Sequence, residues 1–329
     1  MSTLGVSFTD AALEARVSAG VDEVERQLVA AVDSPSRLVA EAAAHLLNAG
    51  GKRFRPLLVM LAAEFGDPAR PEVANSAVVV ELTHLATLYH DDVMDEADIR
   101  RGAPSANSRW GNSVAILVGD FLFAQASDLV SDLGPDAVRI QARMFSRLVQ
   151  GQIRETIGPD ESEDALAHYL GVVADKTGSL IATAARFGAM MAGASDDVQE
   201  TLTEFGERIG AAFQLADDVI DVASETGESG KTPGTDLREG VPTLPTLIAL
   251  RSTDDASARL RELLSKPLTD DTEHAEALAL LRVHPAIAEA RSYVQAEADA
   301  AGVLLAKLPD SPARAALQEL CDTVATRLG

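Results

Sequence analysis

The sequence predicts an all-α protein, and three observations support that fold class. Aromatic residues make up only 4% of the 329 residues, while alanine and leucine are abundant, which favours helices. Apolar residues recur at helical spacing along the chain, and strand-like alternation is almost absent. Glycine and proline collect at breaks such as Gly50-Gly51 and Gly134-Pro135, leaving segments of helical length between them. Because no flexible linker interrupts the pattern, we expect a single domain, a helical bundle, over residues 1–329.

Charge and cysteine content exclude several classes of protein. The formal net charge is −23, which argues against a nucleic-acid partner. It is compatible with an anionic small-molecule substrate only if the site is locally basic or holds metal ions. The single cysteine, Cys321, excludes an intramolecular disulfide and a cysteine-based zinc site. The amino end lacks a signal-peptide pattern, and no apolar run approaches the roughly 18 residues of a membrane span. We therefore expect a cytoplasmic protein.

Two short clusters of aspartates share the pattern Asp-Asp-x-x-Asp. They are Asp91, Asp92 and Asp95, and Asp217, Asp218 and Asp221. Each cluster follows an apolar stripe with helical spacing, so each should gather three carboxylates on one side of a helix. Such carboxylates repel one another unless cations lie between them. Facing carboxylates of this kind favour Mg²⁺, which usually binds a phosphate as well.

The alternative for such a cluster is an ordinary solvated helix face. In the first cluster, Val93 and Met94 continue the apolar stripe and predict that the segment lies in the core. Burying an ionised carboxylate without a compensating cation costs several kcal/mol of folding free energy. Two clusters of the same form in one chain make a coincidence improbable. We therefore favour metal sites.

Basic residues are concentrated at a few places in this acidic chain. Lys52, Arg53 and Arg55 occupy four positions after a pair of glycines, and Arg100-Arg101 precede a Gly-Ala-Pro sequence. Each group is compatible with ordinary surface charge. Arginine forks also form paired hydrogen bonds with phosphates, and their concentration here indicates an anion pocket. Lys176-Thr177 and Lys231 are weak signals when each is taken singly.

Two histidines accompany the first cluster. His84 lies on the same helix as the aspartates, upstream of them, where a buried core histidine is the commoner explanation. His90 adjoins Asp91, which raises the possibility of a metal-dependent phosphohydrolase. That class needs further histidine ligands, and this chain has only six histidines. Its other clustered carboxylates form a second Asp-Asp-x-x-Asp, so we disfavour this alternative.

Several motifs, in order along the chain, resemble those of the all-trans polyprenyl diphosphate synthases. They are GGKRFRP (50–56), THLATLYHDDVMDEADIRRGAPS (83–105), GDFLF (119–123), KTGSLI (176–181), FQLADDVIDV (213–222), GKTPGTDLREG (230–240) and TLP (243–245). The resemblance implies a helical barrel around a deep central cavity, with the two acidic clusters facing each other at its mouth. It also implies Mg²⁺ ions, typically three, and two substrates. These are isopentenyl diphosphate and an allylic diphosphate of the geranyl, farnesyl or geranylgeranyl type.

The resemblance assigns roles to individual residues. The metal-binding residues would be Asp91, Asp92, Asp95, Asp217, Asp218 and Asp221. Catalysis would depend on Asp91, Asp95, Lys176, Asp217 and Asp218. The allylic diphosphate would be held by Arg100, Lys176, Thr177, Gln214 and Lys231, and isopentenyl diphosphate by Lys52, Arg55, His84 and Arg101. In the family, isopentenyl diphosphate attacks the allylic group through its double bond and then loses a proton. The resemblance implies that the released pyrophosphate accepts this proton, which agrees with the lack of an obvious protein base.

The sequence departs from the family pattern at one position and gives a hint about product length. Val241 stands where the family often has lysine, so we expect weaker binding of the allylic diphosphate but not inactivity. Ala86 and Thr87, just upstream of Asp91, are small where enzymes that stop at C15 or C20 usually carry an aromatic ring. In the family, the product grows into the cavity past these residues, which act as its floor. Small side chains there favour a product longer than C20, and Phe145 is a candidate for the residue that ends growth deeper in the cavity.

Competing functions remain open at this point. A farnesyl or geranylgeranyl diphosphate synthase with a C15 or C20 product is the nearest alternative. A terpene cyclase normally lacks the GGKRFRP-type pocket and the second Asp-Asp-x-x-Asp. A noncatalytic subunit of a two-component synthase usually loses its acidic clusters, and here both are complete. The resemblance further implies a homodimer and a lipidic product that brings the enzyme close to membranes.

Overall fold

The computed structural model describes residues 8–223 and 233–326. Within these ranges the first helices are α1 (Ala11–Ala31), α2 (Arg37–Asn48), α3 (Phe54–Ala63), α4 (Pro71–Met94), α5 (Ala106–Trp110), α6 (Asn112–Asp132), α7 (Pro135–Ile157) and α8 (Ala165–Val173). They are followed by α9 (Ser179–Met191), α10 (Asp196–Ala223), α11 (Thr235–Glu239), α12 (Leu244–Leu250), α13 (Ala258–Leu264), α14 (Asp271–Val283), α15 (Pro285–Leu305) and α16 (Pro312–Thr326). The all-α prediction is confirmed.

The chain forms two compact units. The first comprises Met1–Phe145, Leu180–Gly206 and Leu304–Glu319, and the second comprises Ser146–Ser179, Glu207–Val303 and Leu320–Gly329. The first acidic cluster belongs to the first unit, and the second cluster belongs to the second unit. The single-domain organisation with a central cavity stays a prediction.

Helix α4 is the central element of the first unit. It begins with Pro71, whose fixed φ suits the first helical turn, and most of its residues from Val73 onward are buried. It packs against α3 and α6. A Cβ on Gly119 of α6 would lie 2.3 Å from Nε2 of His90, so the glycine of the GDFLF motif is needed for this close approach. The result is a rigid support for the end of α4.

Helix α8, the last turns of α10 and α12 are the relevant elements of the second unit. Asp164 caps α8 by accepting a hydrogen bond from the amide of Ala167 at 2.9 Å. A single π-helical turn, Ala174–Gly178, continues α8 towards α9. Thr243 and Thr246 form a capping box at the start of α12, which explains the threonine of the TLP motif.

The expectation that no segment reaches the length of a membrane span is wrong for α6. Among the described residues, this helix is long and apolar enough to cross a membrane by length and composition. Asp120 and Asp128 interrupt its apolar run, which concealed this property in the sequence. Core helices of soluble proteins pass the same test, and α6 packs along α4.

Candidate active site

The first acidic cluster lies at the carboxyl end of α4. Asp91 and Asp92 are in the last turn, and Asp95 is the C-cap residue. The end of a helix already carries unpaired carbonyl groups and a partial negative charge. The last turn of α4 contains no basic residue to offset it. Three carboxylates therefore occupy the least favourable end of the helix, a position that requires cations nearby.

Asp92 is the buried member of this cluster, with an exposed fraction of 0%. Its Oδ1 accepts a hydrogen bond from Nε of Arg100 at 2.6 Å. Its Oδ2 is buried and has no hydrogen-bond partner among the described residues. Burial raises the pKa of the Asp92 carboxyl, and the Arg100 guanidinium opposes that shift. A buried carboxylate oxygen without a donor fits a hard cation as its missing partner.

The remaining residues of the first cluster are more exposed than the sequence suggested. Met94 is 52% exposed, so the prediction that it lies in the core is wrong, and Val93 is half-buried. The helix ends at Met94, and the chain beyond it turns into solvent at Asp95. Asp91 is half-buried on the last turn. One buried carboxylate thus supports two that are accessible.

Arg100 and Arg101 lie on a short hairpin formed by β1 (Ile99–Arg100) and β2 (Ala103–Pro104). Arg101 and Gly102 both have positive φ, 53° and 75°, as a tight turn of type I′ requires. An arginine in this conformation is strained, which is common at functional sites. Arg101 donates to the carbonyl of Leu46 at 2.9 Å and to that of Gly50. Arg100 instead faces Asp92, with Asp95 at 3.9 Å.

Arg55, His84 and Arg101 form a positive cluster in the first unit. Burial lowers the pKa of Arg55 to about 10, with Glu81 opposing and Arg101 adding to the shift. Burial also lowers the pKa of His84 well below its usual range, and Arg55 and Arg101 lower it further. His84 is therefore neutral and can donate one hydrogen bond. The structure thus brings together three residues predicted to bind isopentenyl diphosphate, and the fourth, Lys52, is exposed.

Arg53 takes a different role from its neighbours in the GGKRFRP motif. It has a left-handed backbone, with φ 46°, and its side chain is buried. Its guanidinium pairs with Glu25, lies 3.2 Å from Oε1 of the buried Glu81, and donates to the carbonyl of Leu47 at 3.1 Å. The three cations of the motif are thus divided between internal structure and the site.

The second acidic cluster lies in the last turns of α10, and Asp218 is its buried member. Tyr169 of α8 donates its hydroxyl hydrogen to Oδ2 of Asp218, and Gln214 donates to Oδ1 at 3.1 Å. Thr177 donates to Oε1 of Gln214 at 3.2 Å. Burial raises the pKa of Asp218 to about 6, and the bonds from Tyr169 and Gln214 oppose the shift. The predicted residues Thr177, Gln214 and Asp218 therefore form one hydrogen-bonded chain.

Asp217 and Asp221, the other two residues of this cluster, are half-buried. They share the last two turns of α10 with Asp218, again without a basic residue in the last turn. The charge pattern at the end of α10 therefore repeats that at the end of α4. Within the part of the chain that the structure describes, no three acidic, histidine or cysteine side chains are grouped closely enough to hold one metal ion. The metal-binding assignments stay predictions.

Lys176 lies on the π turn, and its Nζ is 2.5 Å from Oε2 of Glu155 on α7. Sequence analysis missed both Glu155 and Tyr169. Tyr169 is seven residues before Lys176, and this spacing on a helix could have placed it on the same face. No feature of the sequence around Glu155 distinguishes it from the many surface acids. Both acquire their relevance only from the packing of α7, α8 and α10.

The remaining predicted residues near the second cluster are less informative. Lys231 lies outside the described residues. Val241 is 38% exposed, and its amide donates to the carbonyl of Asp236 at 2.9 Å. Arg238, which could compensate for the missing lysine, lies 2.8 Å from the exposed Asp271. The effect of Val241 stays a prediction.

The residues proposed to control product length differ in exposure. Ala86 is fully buried, and Thr87 is half-buried and donates its hydroxyl hydrogen to the carbonyl of His84 at 2.8 Å. The half-buried residues His84, Thr87, Leu88 and Asp91 follow one another at helical spacing. They form one accessible face of α4, which we call the α4 face. Sequence analysis missed Leu88, although it lies three residues before Asp91.

Two aromatic contacts border this region. The ring of Phe145 packs against that of Phe123, with centroids 4.4 Å apart, and Phe123 also contacts His90 at 5.7 Å. Nε2 of His90 is 3.1 Å from the carbonyl oxygen of Ile116. His90 therefore has a packing role between α4 and α6, and the role of Phe145 in product length stays a prediction.

The buried Asp218 makes stability depend on pH when divalent cations are absent. Its pKa rises from 3.8 to about 6 on folding, so folding favours the protonated form. This contribution to the free energy of unfolding is complete below pH 3.8 and is lost as the pH rises through about 6. We expect Asp218→Asn to abolish that fall. Urea unfolding in EDTA across this range measures it, with Asp22→Asn on the exposed face of α1 as the control. Parallel profiles for the wild type and Asp218→Asn would contradict the assignment.

An all-α protein with acidic clusters at two helix ends, and with arginines gathered around a neutral histidine, is typical of helical enzymes that act on diphosphates. Comparison with known proteins identifies the family. The polyprenyl synthetase model matches residues 36–281, and this chain belongs to that family. The chain is 52% identical over 326 residues to nonaprenyl diphosphate synthase of Mycobacterium tuberculosis, covering 99% of this chain and 97% of the relative.

Solved structures agree with this assignment. Geranylgeranyl pyrophosphate synthase from Corynebacterium glutamicum, in complex with calcium and isoprenyl diphosphate, has a TM-score of 0.89 and 47% identity. The match covers 98% of this chain and 100% of that one. A decaprenyl diphosphate synthase from Rhodobacter capsulatus has a TM-score of 0.87 and 33% identity, over 96% and 98% of the two chains. The resemblance found in the motifs is therefore confirmed along the whole chain.

Proposed function

We propose that this chain is a Mg²⁺-dependent prenyltransferase that condenses isopentenyl diphosphate with an allylic diphosphate to give an all-trans polyprenyl diphosphate longer than C20. One observation carries the proposal. In a chain of this family, both Asp-Asp-x-x-Asp clusters are complete, and each keeps one carboxylate buried at the end of a helix, Asp92 in one and Asp218 in the other. Sites that bury charge at such a cost are retained for function.

We propose separate roles for the acidic clusters and for the other polar residues in binding the allylic diphosphate. Asp91, Asp92 and Asp95, with Asp217, Asp218 and Asp221, are proposed to hold Mg²⁺. When bound there, Mg²⁺ neutralises the negative charge that develops on the departing diphosphate. Carboxylate oxygens are the ligands that Mg²⁺ prefers, and the unpartnered Oδ2 of Asp92 supports the fit. Arg100, Lys176, Thr177, Gln214 and Lys231 are proposed to orient the allylic diphosphate.

The positive cluster of the first unit is proposed to bind isopentenyl diphosphate. Arg55 and Arg101 supply guanidinium forks, and the neutral His84 supplies one hydrogen-bond donor. Nε of Arg55 is buried and has no hydrogen-bond partner in the part of the chain that the structure describes, as expected of a group whose partner is a substrate. The exposed Lys52 adds a further positive charge. Holding the second diphosphate in this way leaves its carbon–carbon double bond free to attack the allylic cation.

Incubation of the purified chain with Mg²⁺, isopentenyl diphosphate and one primer at a time tests the proposal. Geranyl, farnesyl and geranylgeranyl diphosphates serve as primers, and the products are resolved by chain length. We expect elongation by this chain alone to products beyond C20. Products ending at C15 or C20 would identify a short-chain synthase. The similarity to a geranylgeranyl pyrophosphate synthase supports this alternative. No elongation would identify a noncatalytic subunit.

Product length is proposed to depend on the α4 face, and Thr87 is its most direct test. We expect Thr87→Phe to shorten the product distribution, because a ring there would occupy the space into which the chain grows. Ala86→Phe is a poorer test, since Ala86 is fully buried and a larger side chain would cost about 1–3 kcal/mol in packing. Thr87→Val, which adds no ring, is the control. An unchanged product ladder for Thr87→Phe would exclude this residue as the floor.

We also propose that the protein is a cytoplasmic homodimer whose lipidic product brings it to membranes. Ile116 and Leu117 of α6 are 42% and 66% exposed, and these apolar side chains are available for contact with a second subunit. Sedimentation velocity of the purified chain measures the state directly. A monomer at micromolar concentration would contradict the dimer.

A further inference from the structure

The π turn Ala174–Gly178 presents two of the proposed substrate-binding residues, Lys176 and Thr177. A π turn inserts one extra residue into a helix, is rare, and is found frequently at functional sites. In this turn the carbonyl of Ala174 accepts from the amide of Ser179 instead of that of Gly178. The surroundings must therefore hold this geometry in place.

Arg147 of α7 makes the contacts that hold the π turn. Its Nε donates to Oδ1 of Asp175 at 2.7 Å, and one terminal nitrogen donates to the carbonyl of Ala174 at 3.1 Å. The same nitrogen lies 3.0 Å from Oε2 of Glu207 on α10, and the other terminal nitrogen pairs with Oε1 of Glu207. One guanidinium thus joins the π turn to the helix that carries Gln214 and Asp218.

Two glycines allow the π turn to approach its neighbours closely. A Cβ on Gly151, one helical turn after Arg147, would lie 2.8 Å from the amide nitrogen of Lys176 and 2.9 Å from Cβ of Asp175. A Cβ on Gly178 would lie 3.2 Å from Oε2 of Glu207. The close contact at Gly151 leaves little room for Lys176 to shift towards α7. The turn is therefore fixed by contacts from both α7 and α10.

The contacts of Arg147 also neutralise negative charge beside the π turn. Asp175 and Glu207 place two carboxylates beside a turn that is proposed to receive a diphosphate. Burial lowers the pKa of Arg147, but its hydrogen bonds to Glu207 and Asp175 outweigh this and raise it, so the guanidinium stays charged. Arg154 gives weaker support, at 3.5 Å from Asp175. Without Arg147, the two carboxylates would face the turn largely uncompensated and would repel an anionic substrate.

We propose that Arg147 is a positioning residue for the allylic diphosphate, which holds the π turn so that Lys176 and Thr177 face the substrate beside Gln214. The proposal rests on the function proposed above. Among the described residues, Arg147 forms its hydrogen bonds with Ala174, Asp175 and Glu207 and with no proposed substrate-binding side chain. Its effect should therefore appear in allylic binding and leave the binding of isopentenyl diphosphate unchanged.

The test compares KM values for farnesyl diphosphate and isopentenyl diphosphate with Mg²⁺ present. We expect Arg147→Gln to raise KM for farnesyl diphosphate about tenfold or more, the effect of losing a charge-assisted hydrogen-bond set. KM for isopentenyl diphosphate should stay within about twofold. Arg147→Lys should restore the value only in part, because an ammonium group cannot replace the fork that joins Asp175, Ala174 and Glu207.

Two further variants separate positioning from other effects. Gly151→Ala adds a methyl group against the π turn without changing charge, and we expect the same selective rise in KM for farnesyl diphosphate. Arg208→Gln removes a neighbouring arginine of α10 that pairs with Glu297 instead, and should change neither KM. Thermal unfolding confirms that each variant is folded.

Three outcomes would overturn the role of Arg147. The first is an unchanged KM for farnesyl diphosphate in both Arg147→Gln and Gly151→Ala, when the wild type is active. The second is an equal rise of both KM values, which would indicate a general structural effect. The third is a wild-type chain that does not elongate any primer, which would overturn the proposed function together with the role that rests on it.

Discussion

Asp91→Ala is expected to lower elongation by about a thousandfold or more while the fold stays intact, since losing a metal ligand removes several kcal/mol of transition-state stabilisation. Asp91 is half-buried on the last turn of α4, so replacing it with alanine should disturb the core little. Asp92→Ala would be a poorer test, because Asp92 is buried and holds Arg100. Steady-state rates with saturating Mg²⁺ and both substrates measure the effect.

The control for this variant is Asp22→Ala, which removes an exposed aspartate of α1 in the same unit. It should leave the rate unchanged. Asp91 lies at the negative end of α4, where its removal also relieves repulsion, and thermal unfolding in EDTA confirms that the variant is folded. Retained turnover by Asp91→Ala with Mg²⁺ present would exclude a metal-binding role for this residue.

Arg55→Met is expected to raise KM for isopentenyl diphosphate about 100-fold, the effect of about 3 kcal/mol from charged hydrogen bonds to a diphosphate. KM for the allylic substrate should change little. The same variant should not lose stability. Arg55 is half-buried near another cation, Arg101, its buried Nε has no hydrogen-bond partner among the described residues, and burial lowers its pKa to about 10. An apolar side chain of similar length removes that cost.

Arg16→Met is the matched control for Arg55→Met. Arg16 is an arginine of the same unit that is 52% exposed and pairs with Glu64 on the surface. Its loss should affect neither KM, since exposed ion pairs contribute little. An unchanged KM for isopentenyl diphosphate in Arg55→Met, or a large loss of stability, would show that Arg55 serves the fold and not the substrate.

Much of the site could be predicted from the sequence because its chemistry is local. Three carboxylates within five residues are visible as a pattern, and so are the cations of the GGKRFRP motif. The structure brings Arg55, His84 and Arg101 together as predicted. It also joins Thr177, Gln214 and Asp218 in one chain of hydrogen bonds.

What the sequence could not show depends on direction and on long-range packing. Arg53 and Arg55 are the same residue type in one motif and cannot be told apart in the sequence. In the structure, Arg53 has a left-handed backbone conformation and its side chain contacts Glu81. Helical spacing placed Ala86 near the aspartates without revealing that it is fully buried. Arg147 and Tyr169 belong to no acidic or basic run in the sequence. Their roles follow from contacts with residues at least 27 positions away.

The central claim is that this chain, by itself and with Mg²⁺, transfers an allylic group from diphosphate to isopentenyl diphosphate. Pyrophosphate released from farnesyl and isopentenyl diphosphates, measured together with the carbon chain formed, tests it most directly. We expect one pyrophosphate for each isopentenyl unit added, products beyond C20, and neither pyrophosphate nor product in EDTA. Elongation that continues unchanged in EDTA, or no pyrophosphate and no product with Mg²⁺ present, would contradict it.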